Sequence, residues 1–202
     1  MPSTALHIYT AKAAAALLRQ LRRCCGGVVL AGALAACTTP VAPQFYADQQ
    51  PALDVQSYFN GTLEAHGMFQ DRHGTVIKRF TVVMRCHWQG DVGTLDEAFT
   101  YADGSKQQRV WTLHKVGPGR YTGTAADVVG VALGEVAGNA LRWQYVLALP
   151  VDGTIYHVNM QDWMFLIDGR VMLNRATMSK FGVDLGAVTL SFDKRPDGVA
   201  AP

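Results

Sequence analysis

Arg79-Phe80-Thr81-Val82-Val83-Met84-Arg85-Cys86-His87-Trp88 decides the fold class. Phe80, Val82, Met84, Cys86 and Trp88 fall on one side of an extended chain, and Arg79, Thr81, Val83, Arg85 and His87 on the other. A period of two belongs to a β-strand, and one apolar face with one polar face belongs to an antiparallel sheet wetted on one side. The alternation returns at Leu141, Trp143, Tyr145, Leu147 and Leu149, and again at Val188, Leu190 and Phe192. Turn chemistry separates these runs at Asp71-Arg72-His73-Gly74, Gln89-Gly90-Asp91, Asp103-Gly104, Gly117-Pro118-Gly119, Gly138-Asn139, Asp152-Gly153 and Asp168-Gly169. Asp-Gly suits tight hairpins because glycine takes positive φ freely and Asp tolerates it. Short links favour pairing of sequence neighbours. The expectation is an all-β, antiparallel up-and-down meander of about eight to nine strands, closing into a barrel because closure removes the exposed edges. An open sheet or a two-sheet sandwich is the alternative. Helix is expected to be minor, one turn over Asp54–Asn60 and another over Ala176–Phe181.

Upstream of this domain the chain changes character. Arg19, Arg22 and Arg23 precede a short apolar run from Cys24 to Leu34, too short to span a bilayer, which takes about 20 residues. Basic flank, greasy centre and small residues are the parts of a secretory signal peptide. Leu34-Ala35-Ala36-Cys37 resembles the lipobox of bacterial lipoproteins. That resemblance implies a leader over 1–36 and diacylglyceryl attachment at Cys37. With Thr38 rather than Asp after the cysteine, it also implies delivery to the outer membrane; the anchored domain is expected to face the periplasm, with the outer surface as the alternative. Residues 37–52 then read as a lipidated tether, 53–195 as the β-barrel domain and 196–202 as a disordered tail.

Removing the leader leaves fourteen Lys and Arg against sixteen Asp and Glu, so a net charge of +2 becomes slightly negative. The remaining basic residues are scattered, which argues against a nucleic-acid surface. Cys24 and Cys25 go with the leader and Cys37 carries lipid, so Cys86 has no intrachain disulfide partner and reads as a small apolar core residue.

No catalytic constellation stands out, and the chain reads as a non-enzyme that needs no cofactor. His66, His73, His87, His114 and His157 occur singly, without metal-ligand spacing. No Gly-x-Ser-x-Gly elbow is present. Gly130-Val131-Ala132-Leu133-Gly134 lacks the Lys-Ser/Thr of a phosphate loop, so its glycines read as a bend or a close strand contact. The inward rows carry large residues that either fill the barrel or line a pocket. Trp88, Trp111, Trp143 and Tyr145 are the candidate ligand-binding set, with Arg109 or Arg175 to hold a carboxylate or phosphate head and Asp162 beside Arg175. The competing structural reading pairs Arg175 with Asp162, and Glu97 with Arg109 across the Asp103-Gly104 hairpin.

Tyr58-Phe59-Asn60-Gly61-Thr62-Leu63-Glu64, Gly138-Asn139-Ala140-Leu141-Arg142-Trp143, Leu149-Pro150-Val151-Asp152-Gly153, Asp162-Trp163-Met164 and Met178-Ser179-Lys180-Phe181-Gly182 resemble the strings of a proteobacterial lipoprotein family catalogued as a domain of unknown function. The resemblance runs from about Leu53 to Phe192 and implies lipid-related work. The architecture also resembles lipocalin-like barrels, although Gly61-Thr62-Leu63 lacks the Gly-x-Trp of that group. The functional expectation is therefore an outer-membrane lipoprotein that binds or shuttles a fatty acid or phospholipid. The alternatives are a filled barrel serving envelope assembly through unidentified protein partners and, behind it, a lipid-modifying enzyme.

Overall fold

The computed structural model describes residues 41–196. Residues 1–36, expected to be a leader, Cys37, and the residues beyond Pro196, expected to be a tail, lie outside those described. Ten strands run in sequence: β1 (Gly61–Asp71), β2 (Val76–Gln89), β3 (Val92–Tyr101), β4 (Lys106–Gly117), β5 (Arg120–Thr124), β6 (Val128–Ala137), β7 (Ala140–Val151), β8 (Thr154–Leu166), β9 (Val171–Lys180) and β10 (Val183–Lys194). Each pairs antiparallel with its sequence neighbours, and β10 returns to β1 with Ala65 opposite Phe192, closing the barrel. The up-and-down barrel expected from the alternation is the fold. Its ten strands exceed eight to nine because two of the nine connections, β5–β6 and β9–β10, are not among the turns read from sequence.

The two-residue period sorts the side chains. Phe80, Val82, Met84 and Cys86 are buried, while Arg79, Thr81, Arg85 and His87 are exposed. Burial pushes the Cys86 thiol up to about 12, which makes it an inert core residue. Where a tryptophan must fit inside, the facing strand gives up its side chain. A Cβ on Gly134 would lie 2.4 Å from the Trp143 ring, and one on Gly123 would lie 2.6 Å from it. The pairing of β6 with β7 also shifts between Val129 and Leu133, so this glycine-rich stretch serves both as a bend and as a close contact.

One end of the barrel is floored by helix α1 (Val55–Tyr58), the single turn expected after Asp54. Asp54 caps it, accepting from the Ser57 amide at 2.7 Å. The Trp88 indole N–H donates to the Phe59 carbonyl at 2.8 Å and the Tyr58 hydroxyl to the Arg170 carbonyl at 2.9 Å, fixing the floor to β2 and to the β8–β9 turn. The preceding residues, part of the segment 37–52 read as a tether, pack on the outer wall. Pro43–Tyr46 forms a 3-10 turn, and the Tyr46 ring stands edge-on to Trp163 and Phe165 at 5.8 and 5.0 Å.

Two expectations are corrected. Ala176–Phe181 is not helical: β9 continues to Lys180, and Phe181-Gly182 forms the hairpin turn, both residues at positive φ. Arg175 and Asp162 do not meet. The β8–β9 register sets Asp162 opposite Ala176 and Trp163 opposite Arg175, so Asp162 is buried inside while Arg175 is exposed outside.

Candidate functional site

The barrel is hollow. A cavity of about 790 Å³ runs from the floor at Val55 and Phe59 towards the opposite end, where Ile77, Lys78, Pro150 and Ile155 line its mouth. Its volume lies within the range of small-molecule sites, roughly 300–1,000 Å³. Most of the wall is apolar or aromatic. Trp111 stands edge-on to Trp143 at 5.7 Å and to Tyr145 at 5.3 Å, and Phe80 packs against Phe69 and Phe99 at 5.2 and 5.7 Å nearer the mouth.

Inside this wall sits one polar belt. Arg109 on β4 lies directly opposite Glu97 on β3 in the strand register, with 3.9 Å between the guanidinium and the carboxyl. Its stronger partner is Asp127, from the connection before β6: Nε donates at 3.0 Å and Nη2 at 2.6 Å, a two-pronged bond. Asp162 on β8 is 9% exposed, and its Oδ1 has no hydrogen-bond partner among the described residues. Burial pushes Asp162 up to about 7, Arg109 pulling it down and Glu97 adding to the rise. Burial raises Glu97 to about 7 as well, against the pull of Arg109. The Tyr145 hydroxyl is held well above its ordinary value by burial and by Asp162. Asn174 on β9 turns inward and donates to the Trp163 carbonyl at 3.4 Å.

The residues singled out in the sequence divide cleanly. Trp111, Trp143, Tyr145, Arg109 and Asp162 line the cavity together. Trp88 belongs to the floor, edge-on to Tyr121 at 6.2 Å, and is not part of the lining. Arg175 faces outward and reaches no head group inside. Cys37 lies outside the described residues. Asp127 escaped the sequence reading because no alternation marks the β5–β6 connection. Its signal is the requirement that a buried arginine flanked by aromatic residues find a carboxylate of good geometry. The five histidines of the domain are all exposed, and no three His, Cys, Asp or Glu side chains converge as a metal site among the described residues.

No curated protein matches the chain. Among solved structures it is similar to an S-type phycobiliprotein lyase, CPES, from Guillardia theta, with a TM-score of 0.52 and 7% identity, covering 78% of this chain and 99% of that one. At that identity the likeness is one of fold, a lipocalin-like barrel. Residues 31–194 match the model of the family described as "Protein of unknown function (DUF3833)", and the chain belongs to that family.

Proposed function

We propose that this protein is a binding module that holds a lipid-like ligand in its barrel without transforming it, and that it works tethered to the outer membrane through lipid on Cys37. The observation that carries the reading is the cavity: about 790 Å³, walled by aromatic and aliphatic side chains, floored at one end. A barrel that served only as an assembly scaffold has no need of a hollow apolar centre, since packed interiors are the more stable arrangement. Likeness of fold to a phycobiliprotein lyase supports ligand binding in general and no particular ligand.

Diphenylhexatriene, apolar and fluorescent only out of water, tests occupancy. Titrated into the purified domain it should saturate and quench Trp111 and Trp143 by energy transfer. A dark titration with unchanged tryptophan emission would sink the binding reading. The anchor is tested separately. Cys37→Ser should move the protein from the membrane to the soluble fraction and abolish palmitate labelling, and a variant that stays membrane-bound would remove the lipid from the account.

A further inference from the structure

We propose that Asp162 is the polar anchor of the cavity and that it accepts hydrogen bonds from the ammonium or hydroxyl end of an otherwise apolar ligand. The inference rests on the binding reading above and narrows it, because it disfavours the free fatty-acid carboxylate that Arg109 first suggests. Three carboxyls line the interior, Glu97, Asp127 and Asp162, and they share one guanidinium. Asp127 engages Arg109 through two nitrogens at 2.6–3.0 Å, and Glu97 stands 3.9 Å from a third. A carboxylate ligand would bring a fourth acid to a cation already balanced. The other cation of the lining, Lys78, sits at the mouth, 3.8 Å from Asp103 and 3.9 Å from the centre of the Tyr101 ring.

Asp162 is in the opposite condition. Its carboxyl is buried, and Oδ1 accepts nothing from the protein. A buried acceptor without a donor is costly, and the cost is recovered when a donor arrives. The neighbouring walls supply none that is bonded to it. Ala176 faces it across β9, Trp143 across β7, and the Asn174 amide is turned to a backbone carbonyl. The charged and titratable groups around it are Tyr145 on β7, Glu97 on β3, Arg109 on β4 and Asp127 before β6. With Asp162 titrating near neutrality, an ammonium ligand pairs best with its ionised form, so amine affinity should rise between pH 5 and pH 8.

The test is displacement of diphenylhexatriene at pH 8 by hexadecylamine, hexadecanol and hexadecanoate below their micellar concentrations, with wild-type protein and Asp162→Asn. The three share one tail, so their order reports the head group alone, and the amine and alcohol arms separate a charged donor from a neutral one. At least one donor should outrank hexadecanoate by about tenfold and lose about that factor in Asp162→Asn, each affinity being taken relative to that of diphenylhexatriene measured on the same protein. Hexadecanoate binding as tightly as both donors, or donor affinities untouched in Asp162→Asn, would overturn the anchor and leave the binding reading standing. The order in wild-type protein stands without the variant. Failure of every ligand, diphenylhexatriene included, would overturn the binding reading and the anchor together.

Discussion

Arg109 shows what one residue contributes to this interior. Taking a guanidinium out of water is unfavourable by several kcal/mol, and only well-placed carboxylates recover it. Glu97 was legible as a partner from sequence, because the Asp103-Gly104 turn sets the two opposite each other. Asp127 was not, since contact between β4 and the β5–β6 connection depends on how the barrel closes. Arg109→Met removes the cation and leaves acids behind, so it should destabilise the fold by about 3 kcal/mol. The loss should depend on pH. Glu97 and Asp162 have folded values near 7 against roughly 4 when unfolded. Between those limits the folded state binds more protons, so stability from these groups is full below about 4, falls as pH rises, and is gone above about 7. The wild-type midpoint for thermal unfolding should therefore be higher at pH 5 than at pH 8, and the Arg109→Met deficit larger at pH 8. A flat profile between those values for both proteins would contradict the buried carboxyls.

Among the elements, the β8–β9 hairpin explains both a success and a failure of sequence reading. The Asp168-Gly169 turn signal located the hairpin, and within β8 Val158, Met160 and Asp162 are buried while Tyr156, two residues earlier on the same row, is exposed. A two-residue turn at Asp168-Gly169 would have set Asp162 opposite Arg175. The loop is longer by one residue: the Asp168 carboxylate accepts from the amides of Arg170 and Val171 at 2.8 Å, and Leu166 pairs with Met172. A shift of one residue exchanges the faces of a strand, so Arg175 leaves the interior. Loop length carried that information, and an Asp side chain capping its own turn conceals it. The next hairpin fails for another reason. Phe181 is 92% exposed at φ +52°, a left-handed conformation in which a bulky side chain is strained, so no propensity marks the turn. Phe181→Asn should stabilise the protein by about 1 kcal/mol, since Asn tolerates that conformation and little packing is lost. A fall in the urea midpoint instead would show that the exposed ring is held by contacts this geometry lacks.

At the scale of the molecule, the meander places alternate hairpins at opposite ends and treats the two ends differently. Helix α1 and its bonds to Gly90, Lys115 and Arg170 seal one. The other keeps Ile77, Ile155, Phe181 and Val183 exposed on or near its turns, without a covering segment among the described residues. Alternation alone could not say whether the barrel was full, because inward aromatic residues suit a packed core and a pocket wall equally. The distinction lies in how far rings on facing strands reach across, which is set by strand tilt and closure. It can be measured through Leu149, a partly buried residue of the cavity wall. In a packed interior Leu149→Trp would force its neighbours aside at about 1–3 kcal/mol, a fall of several degrees in the unfolding midpoint. In a hollow barrel the indole extends into open space. The midpoint should then hold within about two degrees, while affinity for diphenylhexatriene drops several-fold as the added ring takes its room. A large thermal loss with binding unaffected would mean that the space beside Leu149 is filled and that ligands enter elsewhere.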